Sequence, residues 1–334
     1  MPQPTPPPLL GESPALLATL AHVSRVAPLE RPVLVIGERG TGKELVAARL
    51  HYLSRRWDRP FVKVNCAALP ETLLDSELFG HEAGAFTGAV RRRIGRLEQA
   101  DSGTLFLDEI ATASDAVQEK LLRAVEYGEL ERVGGHTVTV DVRVVGATNA
   151  DLPTLAEAGR FRADLLDRLA FDVITLPPLR ARKDDIPLLA EHFARGMARE
   201  LERLLFPGFT PRALEQLLDH GWPGNVRELR NAVERSVAAA EPDAPVDGII
   251  LDPFATAWRP PAPKQSESAP LTPPDKVPPT PEGNFLEQVA AFESGLLTAA
   301  LERHRFNQRR TAEALGLGYH QLRGYLKKHG LIGG

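Results

Sequence analysis

Gly37 to Glu44 reads GERGTGKE and follows directly on an apolar run, PVLVIG. Glycines at 37, 40 and 42 let backbone N–H groups turn inward, which is what a cradle for phosphate oxygens requires. A strand before and a helix after make such a loop a credible phosphate site, and the helix start adds its positive dipole end. Gly37, Glu38, Arg39, Gly40, Thr41, Gly42, Lys43 and Glu44 are therefore candidate nucleotide contacts, with Lys43 reaching the β- and γ-phosphates. Glu44 stands where a Ser or Thr usually touches Mg²⁺, so any hold it has on the metal would run through water. A second apolar run, GTLFLDE, ends in Asp108 and Glu109. Ligands bind at the carboxyl ends of strands in open α/β sheets, so Asp108 can orient Mg²⁺, directly or through water, and Glu109 can polarise an attacking water.

Further polar residues fall where this chemistry could use them. Asn149 closes the run VRVVGATN and either senses the γ-phosphate or makes a turn. FRADLLDR places Arg162 and Arg168 in a helical segment. Inserted from a neighbouring subunit, they would neutralise charge on the transferring phosphoryl group; otherwise they form a solvated basic face. In WPGNVREL, Asn225 is expected to cap a helix, with Glu228 completing a capping box. Arg227 then lies in the first turn, where the dipole disfavours a cation and a phosphate partner would favour one.

These residues need a scaffold. PVLVIG, FVKVNC, GTLFLDE and VRVVGAT read as strands, and their near-continuous apolar character suits a parallel sheet covered on both faces. TGKELVAARLHYLS and SDAVQEKLLRAVEYGE read as helices between them, which predicts an α/β domain. From about Ala181 to Ala240 only helical periodicity appears, which predicts a smaller all-α subdomain. At 334 residues the chain holds roughly two or three domains. Its single cysteine, Cys66, excludes an intrachain disulfide. There is no basic-then-apolar leader, and no run approaches the roughly 20 apolar residues of a membrane helix. Together these predict a soluble, cytoplasmic protein.

One segment fits no period. In HEAGAFTGAVRRR, Gly84 and Gly88 bracket Phe86 and Thr87. An aromatic in a glycine-hinged loop implies that something docks there. Downstream, Arg259 to Gly283 contains nine prolines and predicts an extended tether. Beyond it, Arg303 to Lys328 carries seven basic residues against one acid, so a basic tail follows a body near −10 in net charge. RRTAEALGLGYHQLRGYLKKHGL reads as helix, glycine-bearing turn and basic helix, a helix-turn-helix pattern.

The quoted residues resemble the ATPase domain of bacterial enhancer-binding proteins, the AAA+ activators of sigma-54 RNA polymerase, from about Leu10 to Ala240. GAFTGA, Gly84 to Ala89, is that family's signature, DSELFGHE-type sequence precedes it, and a glutamate after the phosphate-loop lysine is usual there. The resemblance implies an AAA+ P-loop ATPase: an α/β subdomain with a parallel sheet and an α-helical lid, then an all-α Fis-type helix-turn-helix domain. It implies ATP and Mg²⁺ as cofactors, a hexameric ring, and sigma-54 holoenzyme and enhancer double-stranded DNA as partners. Lys43, Asp108 and Glu109 would serve hydrolysis, with Asn149 and Arg227 as nucleotide sensors. Arg162 and Arg168 would act in trans, and Asn65 would be the switch that holds the glutamate. Gly84, Ala85, Phe86, Thr87, Gly88 and Ala89 would form the loop that contacts sigma-54. In the tail, Tyr319, His320, Gln321 and Arg323 would face bases, and Arg309, Arg310, Lys327 and Lys328 phosphates.

The expected organisation is an unstructured start to residue 9, an α/β subdomain over 10–172, a lid over 173–245, a tether over 246–283 and the Fis-type domain over 284–334. Most relatives carry an N-terminal sensing domain, whereas here only a few residues precede the ATPase. Control is therefore expected from outside, through a trans-acting negative regulator. Trp57, in SRRWDRP, either docks that partner or packs on the sheet edge. Two competing readings are a general AAA+ remodeller and a DNA-binding regulator that keeps the domain only for assembly. GAFTGA argues against both, and an intact Glu109 with the Arg162–Arg168 pair argues against the second.

Overall fold

The computed structural model describes residues 8–85, 89, 91–255, 258 and 285–331. The chain divides into two units, one ending at Thr256 and the other beginning at Ala257. The expectations placed on Phe86, Thr87 and Gly88 lie outside the described residues.

In the first unit the chain runs through α1 (Pro14–Val26), β1 (Val33–Ile36), α2 (Lys43–Tyr52), β2 (Phe61–Asn65), α3 (Glu71–Phe79), β3 (Gly80–His81), β4 (Arg93–Ile94), α4 (Arg96–Gln99), β5 (Thr104–Asp108), α5 (Asp115–Tyr127), β6 (Glu129–Glu131), β7 (Thr137–Thr139), β8 (Arg143–Thr148), α6 (Leu152–Glu157), α7 (Ala163–Leu169) and β9 (Asp172–Thr175). The main sheet has the order β2-β5-β8-β1-β9, and every pair is parallel. The central strands β5 and β8 are buried almost throughout, which is why their sequences lack polar alternation. One face packs Leu105, Leu107 and Val144 against α3, α5 and α7; the other packs Val33, Val35 and Phe106 against α1 and α2. Arg143 is fully buried, with no acidic partner among the described residues. Its guanidinium donates to the carbonyls of Val26, Ala27 and Arg31, closing the C-terminal end of α1 over the sheet.

The lid comprises α8 (Asp185–Glu200), α9 (Pro211–Asp219) and α10 (Asn225–Ala239) around Trp222, Leu229 and Val233. Two expected boundaries move. β9 pairs with β1 from Val33↔Asp172 to Ile36↔Thr175, so the α/β part continues past residue 172. β9 escapes a pattern reading because it is an edge strand in which only Ile174 is buried. At the other end, Val246 and Ile249 are buried in the lid core and Phe209 bridges to Val246, so the tether begins later than 246.

The described residues on either side of 86–88 form a short stalk. β3 and β4 pair antiparallel, and Gly84 N donates to Ala89 O at 2.7 Å. The hairpin β6–β7 braces this stalk, with Glu82 N on Val133 O at 2.9 Å. Arg132 is buried between Glu82 and Glu98, at 2.8 Å from each.

The second unit consists of α11 (Phe285–Arg303), α12 (Gln308–Ala314) and α13 (Tyr319–Lys328). Leu297, Leu301, Ala312, Leu322 and Leu326 form its core. The turn between α12 and α13 uses Gly316 at φ 65°, a left-handed position that suits glycine. No helix among the described residues is long and apolar enough to cross a membrane.

Candidate functional site

The carboxyl ends of β1, β5 and β8 lie together, and the site is built on them. Gly37 N donates to Thr148 O at 3.2 Å, which keeps the start of the glycine loop on β8. Gly40 and Gly42 then take φ 77° and 101°. A Cβ at Gly40 would stand 2.2 Å from the carbonyl oxygen of Gly224, so the loop passes too close to the lid for any other residue. Lys43 opens α2 and is 7% exposed. Its Nζ donates to Gly37 O at 2.9 Å and Glu38 O at 3.3 Å, folding the ammonium back across the loop. Burial lowers its pKa, while Glu109 and Asp108 oppose that by favouring the charged form.

Asp108 ends β5 opposite Asn65 of β2. Its Oδ1 accepts from Glu109 N at 3.1 Å. Glu109 adopts φ 52° and ψ 44°, a left-handed conformation that costs about 1–3 kcal/mol in a residue with a side chain. Both carboxylates line a cavity of about 400 Å³ together with Lys43, Glu44, Arg39 and Arg227. Leu9, Leu10, Leu45 and Leu189 give the same cavity an apolar wall. A lining that joins cations and carboxylates with apolar side chains suits a nucleotide, which is charged at its phosphates and apolar at its base. Glu44 is ion-paired with Lys63 at 2.8 Å.

The lid is fastened to the loop by Asn225, and here the sequence expectation is corrected. Asn225 does not cap its helix; Gly224 does, and Glu228 accepts from Gly224 N at 2.7 Å. Asn225 is fully buried at φ 53°. Its Oδ1 accepts from Leu179 N at 2.8 Å, and its Nδ2 donates to Glu38 Oε2 and Arg39 O, both at 3.0 Å. The backbone adds Val226 N on Gly40 O at 3.0 Å. Arg180 and Asn225 together hold the Glu38 carboxyl down at about 2. The amide is drawn from capping because it meets three long-range partners there.

Six expected residues stand apart from the cavity: Gly37 and Glu38 at the start of the loop, and Asn65, Asn149, Arg162 and Arg168. Asn65 is exposed, and its Oδ1 accepts from Ala67 N at 2.9 Å instead of engaging Glu109. Asn149 is exposed just beyond β8. Arg162 caps α7 and pairs with Asp164 at 2.7 Å, while Arg168 pairs with Glu126 at 2.5 Å. Trp57 is 40% exposed in the turn before β2. Arg56 anchors that turn through Glu30, Asp141 and the Gly103 carbonyl.

In the second unit Arg309, Arg310, Tyr319, His320, Gln321, Arg323, Lys327 and Lys328 are all exposed. Four of them make contacts, Tyr319 and His320 through their rings, 5.6 Å apart edge to face. Gln321 Oε1 accepts from Gly318 N at 2.9 Å as a helix cap, and Lys328 pairs with Glu293 at 3.0 Å.

Comparison with known proteins follows the same divisions. Residues 9–175 match the Sigma-54 interaction domain, 180–258 the AAA+ ATPase lid domain, and 288–329 the Fis family of bacterial regulatory proteins. The chain belongs to the sigma-54 activators. It is 59% identical over 327 residues to the Psp operon transcriptional activator of Escherichia coli (strain K12), covering 96% of this chain and 97% of that one. It is 47% identical to the Nif-specific regulatory protein of Azotobacter vinelandii, covering 94% of this chain and 57% of that one. The crystal structure of NtrX from Brucella abortus in complex with ATP superposes with a TM-score of 0.68 at 35% identity, covering 97% of this chain and 70% of that one.

As a sigma-54 activator the protein is an ATPase of AAA+ fold with a Fis-type DNA-binding domain, and the cavity is its candidate nucleotide site. Sequence reasoning missed Leu9, Leu10 and Arg182 in that site, and Arg180 beside it. Arg180 and Arg182 sit in PLRARKDDI, where no local period or motif marks them.

Proposed function

We propose that this sigma-54 activator hydrolyses ATP with Glu109 as the group that polarises water, and uses the cycle to remodel the closed RNA polymerase–promoter complex. The observation that carries this is Glu109 itself: a strained residue at a strand end whose carboxylate lines the cavity with Lys43. Gly37, Glu38, Arg39, Gly40, Thr41, Gly42 and Lys43 cradle the phosphates, and Asn149 and Arg227 report on the γ-phosphate. The carboxylates fit Mg²⁺, a hard cation that takes one or two protein oxygens, several waters and substrate phosphates. Asp108 would hold it, with Glu44 reaching it only through water. When bound, the metal neutralises charge between the phosphates.

Arg162 and Arg168 lie on the surface of their own protomer, away from its cavity. That placement supports action on a neighbour's nucleotide in a hexameric ring. Asn65 would release its cap on Ala67 to take up Glu109. The segment Gly84, Ala85, Phe86, Thr87, Gly88 and Ala89 supplies the sigma-54 contact. The Fis-type unit binds enhancer DNA through Arg309, Arg310, Tyr319, His320, Arg323 and Lys327, with Gln321 and Lys328 first leaving their internal partners.

Likeness to the Psp operon activator along nearly its whole length supports a phage-shock role in envelope stress, within the cytoplasm. A trans-acting inhibitor resembling phage shock protein A would dock at Trp57, which the anchored turn presents to solvent. The test is purified transcription from a sigma-54 promoter with Glu109→Gln. ATP affinity should persist while hydrolysis and activation fall by roughly 10²–10⁴. Normal turnover in that variant would remove Glu109 from the mechanism.

A further inference from the structure

We propose that Arg182 is a further nucleotide-binding residue, one that donates to the phosphate chain; this rests on the nucleotide-site reading above. Arg182 is 3% exposed and lines the cavity beside Gly42 and Lys43. A guanidinium carries five N–H donors in a fixed fork. Here Nη2 makes one hydrogen bond, to Thr41 O at 3.3 Å, and Nε has no partner among the described residues. The Nε atoms of Arg49 and Arg235 also lack partners, but neither residue lines this cavity.

The acid nearest to Arg182 is only a partial counterion. Asp185 is fully buried, and its Oδ2 stands 3.9 Å from Arg182 Nη1. Its tight contacts go elsewhere. Oδ1 accepts from Glu12 N at 2.7 Å and Ser13 N at 2.8 Å, and Oδ2 accepts from Ser13 Oγ at 2.7 Å. Asp185 therefore fastens the start of α1 to the lid and leaves the guanidinium under-compensated. Burial lowers the Arg182 pKa against the opposing effect of Asp185.

A buried cation with an orphaned donor is costly and calls for a missing partner. A phosphate oxygen supplies both the negative charge and the acceptor, and the guanidinium fork suits it. A neutral acceptor on the base or ribose would fill the donor but leave the charge. The phosphate loop and the segment leading into the lid would thus each give the phosphates a cation, Lys43 and Arg182.

The experiment is Arg182→Met in the full chain, with Arg182→Lys and Lys43→Ala alongside. Three quantities are read: the thermal midpoint without ligand, the affinity for a fluorescent ATP analogue, and the affinity for inorganic triphosphate. Methionine removes the orphaned donor while Asp185 keeps its three donors from Glu12 and Ser13. The ligand-free midpoint should therefore hold or rise, and both affinities should fall roughly tenfold or more. Arg182→Lys, which keeps the charge and loses the fork, should fall between; if the methionine variant does not fold, the lysine variant carries the test. Unchanged ATP affinity overturns the proposal. So does weakened ATP binding with intact triphosphate binding, or a fallen midpoint with intact affinity in the folded fraction. If Lys43→Ala weakens neither ligand, it is the nucleotide-site reading that fails; if it weakens both while the Arg182 variants do not, only the assignment of Arg182 fails.

Discussion

Asn225→Ala should loosen the lid from the phosphate loop, and the size of the effect follows from what the amide touches. Its Oδ1 is the acceptor for Leu179 N at 2.8 Å in a buried setting. Leaving that N–H unsatisfied costs about 1–3 kcal/mol. Losing the Nδ2 bonds to Arg39 O and Glu38 Oε2 removes about 1–2 kcal/mol more, the Glu38 share being reduced by its partial exposure. Alanine at φ 53° adds about 1 kcal/mol, because Asn tolerates the left-handed region and Ala does not. The sum is about 3–6 kcal/mol at the lid–loop junction. Asn225→Gly should recover about 1 kcal/mol of it by removing the backbone strain. Asn225→Asp keeps an acceptor for Leu179 but sets a carboxylate against Glu38, so it should weaken ATP binding most. The assay is urea unfolding followed through Trp222, which is buried in the lid, with Trp57 and Trp258 changed to Phe. ATP-analogue affinity is measured on the same proteins. A shift below about 1 kcal/mol in Asn225→Ala with unaltered ATP affinity would refute the view that this amide couples lid to loop. The pH dependence offers a second check. Glu38 is held at about 2 against an ordinary value of 4.5, so its contribution is full above 4.5 and lost as pH falls toward 2. Without Asn225 that loss should still begin near 4.5, the unfolded-state value, but finish at a higher pH because the folded-state value is less depressed.

Arg162→Ala and Arg168→Ala should each lower ATPase turnover by roughly 10³ or more, and mixing either with Lys43→Ala should restore part of it; no recovery at any mixing ratio would count against action in trans. Phe86→Ala should leave ATP turnover near wild type and abolish sigma-54 binding in the presence of a transition-state analogue, and retained binding would remove Phe86 from the contact. His51 is buried, bonded to Thr104 Oγ1 at 3.0 Å and held neutral, its pKa lowered by burial to about 4. The unfolded chain then takes up the proton first, so stability should fall as pH drops from 6.5 toward 4, by roughly 5 °C in midpoint, and His51→Gln should flatten that slope.

Much of the site was legible in the sequence because its code is local. A glycine loop between strand and helix, two acids at the end of an apolar strand, and a glycine-bearing turn before a basic helix are each written within about ten consecutive residues. The buried strands β1, β5 and β8 announce themselves because both faces are covered and their central positions run apolar without alternation. β9 has no such mark: only Ile174 is buried, and its place in the sheet is decided by pairing with β1. The late start of the tether was hidden for a similar reason, since Val246 and Ile249 declare their burial only once the lid has formed. The residues that close the site lay furthest from view. Asn225 reads as a helix cap until the fold brings it to Glu38, 187 residues away in the chain. Arg182 reads as one more surface cation until Asp185 turns to the start of α1 and leaves it buried beside the phosphate loop. Periodicity and turn chemistry act between near neighbours, so the sequence by itself determines the elements, the phosphate loop and its acids. Which buried polar group finds which partner depends on contacts between distant segments, where each donor or charge must be satisfied within the packed interior, and only the tertiary structure decides that.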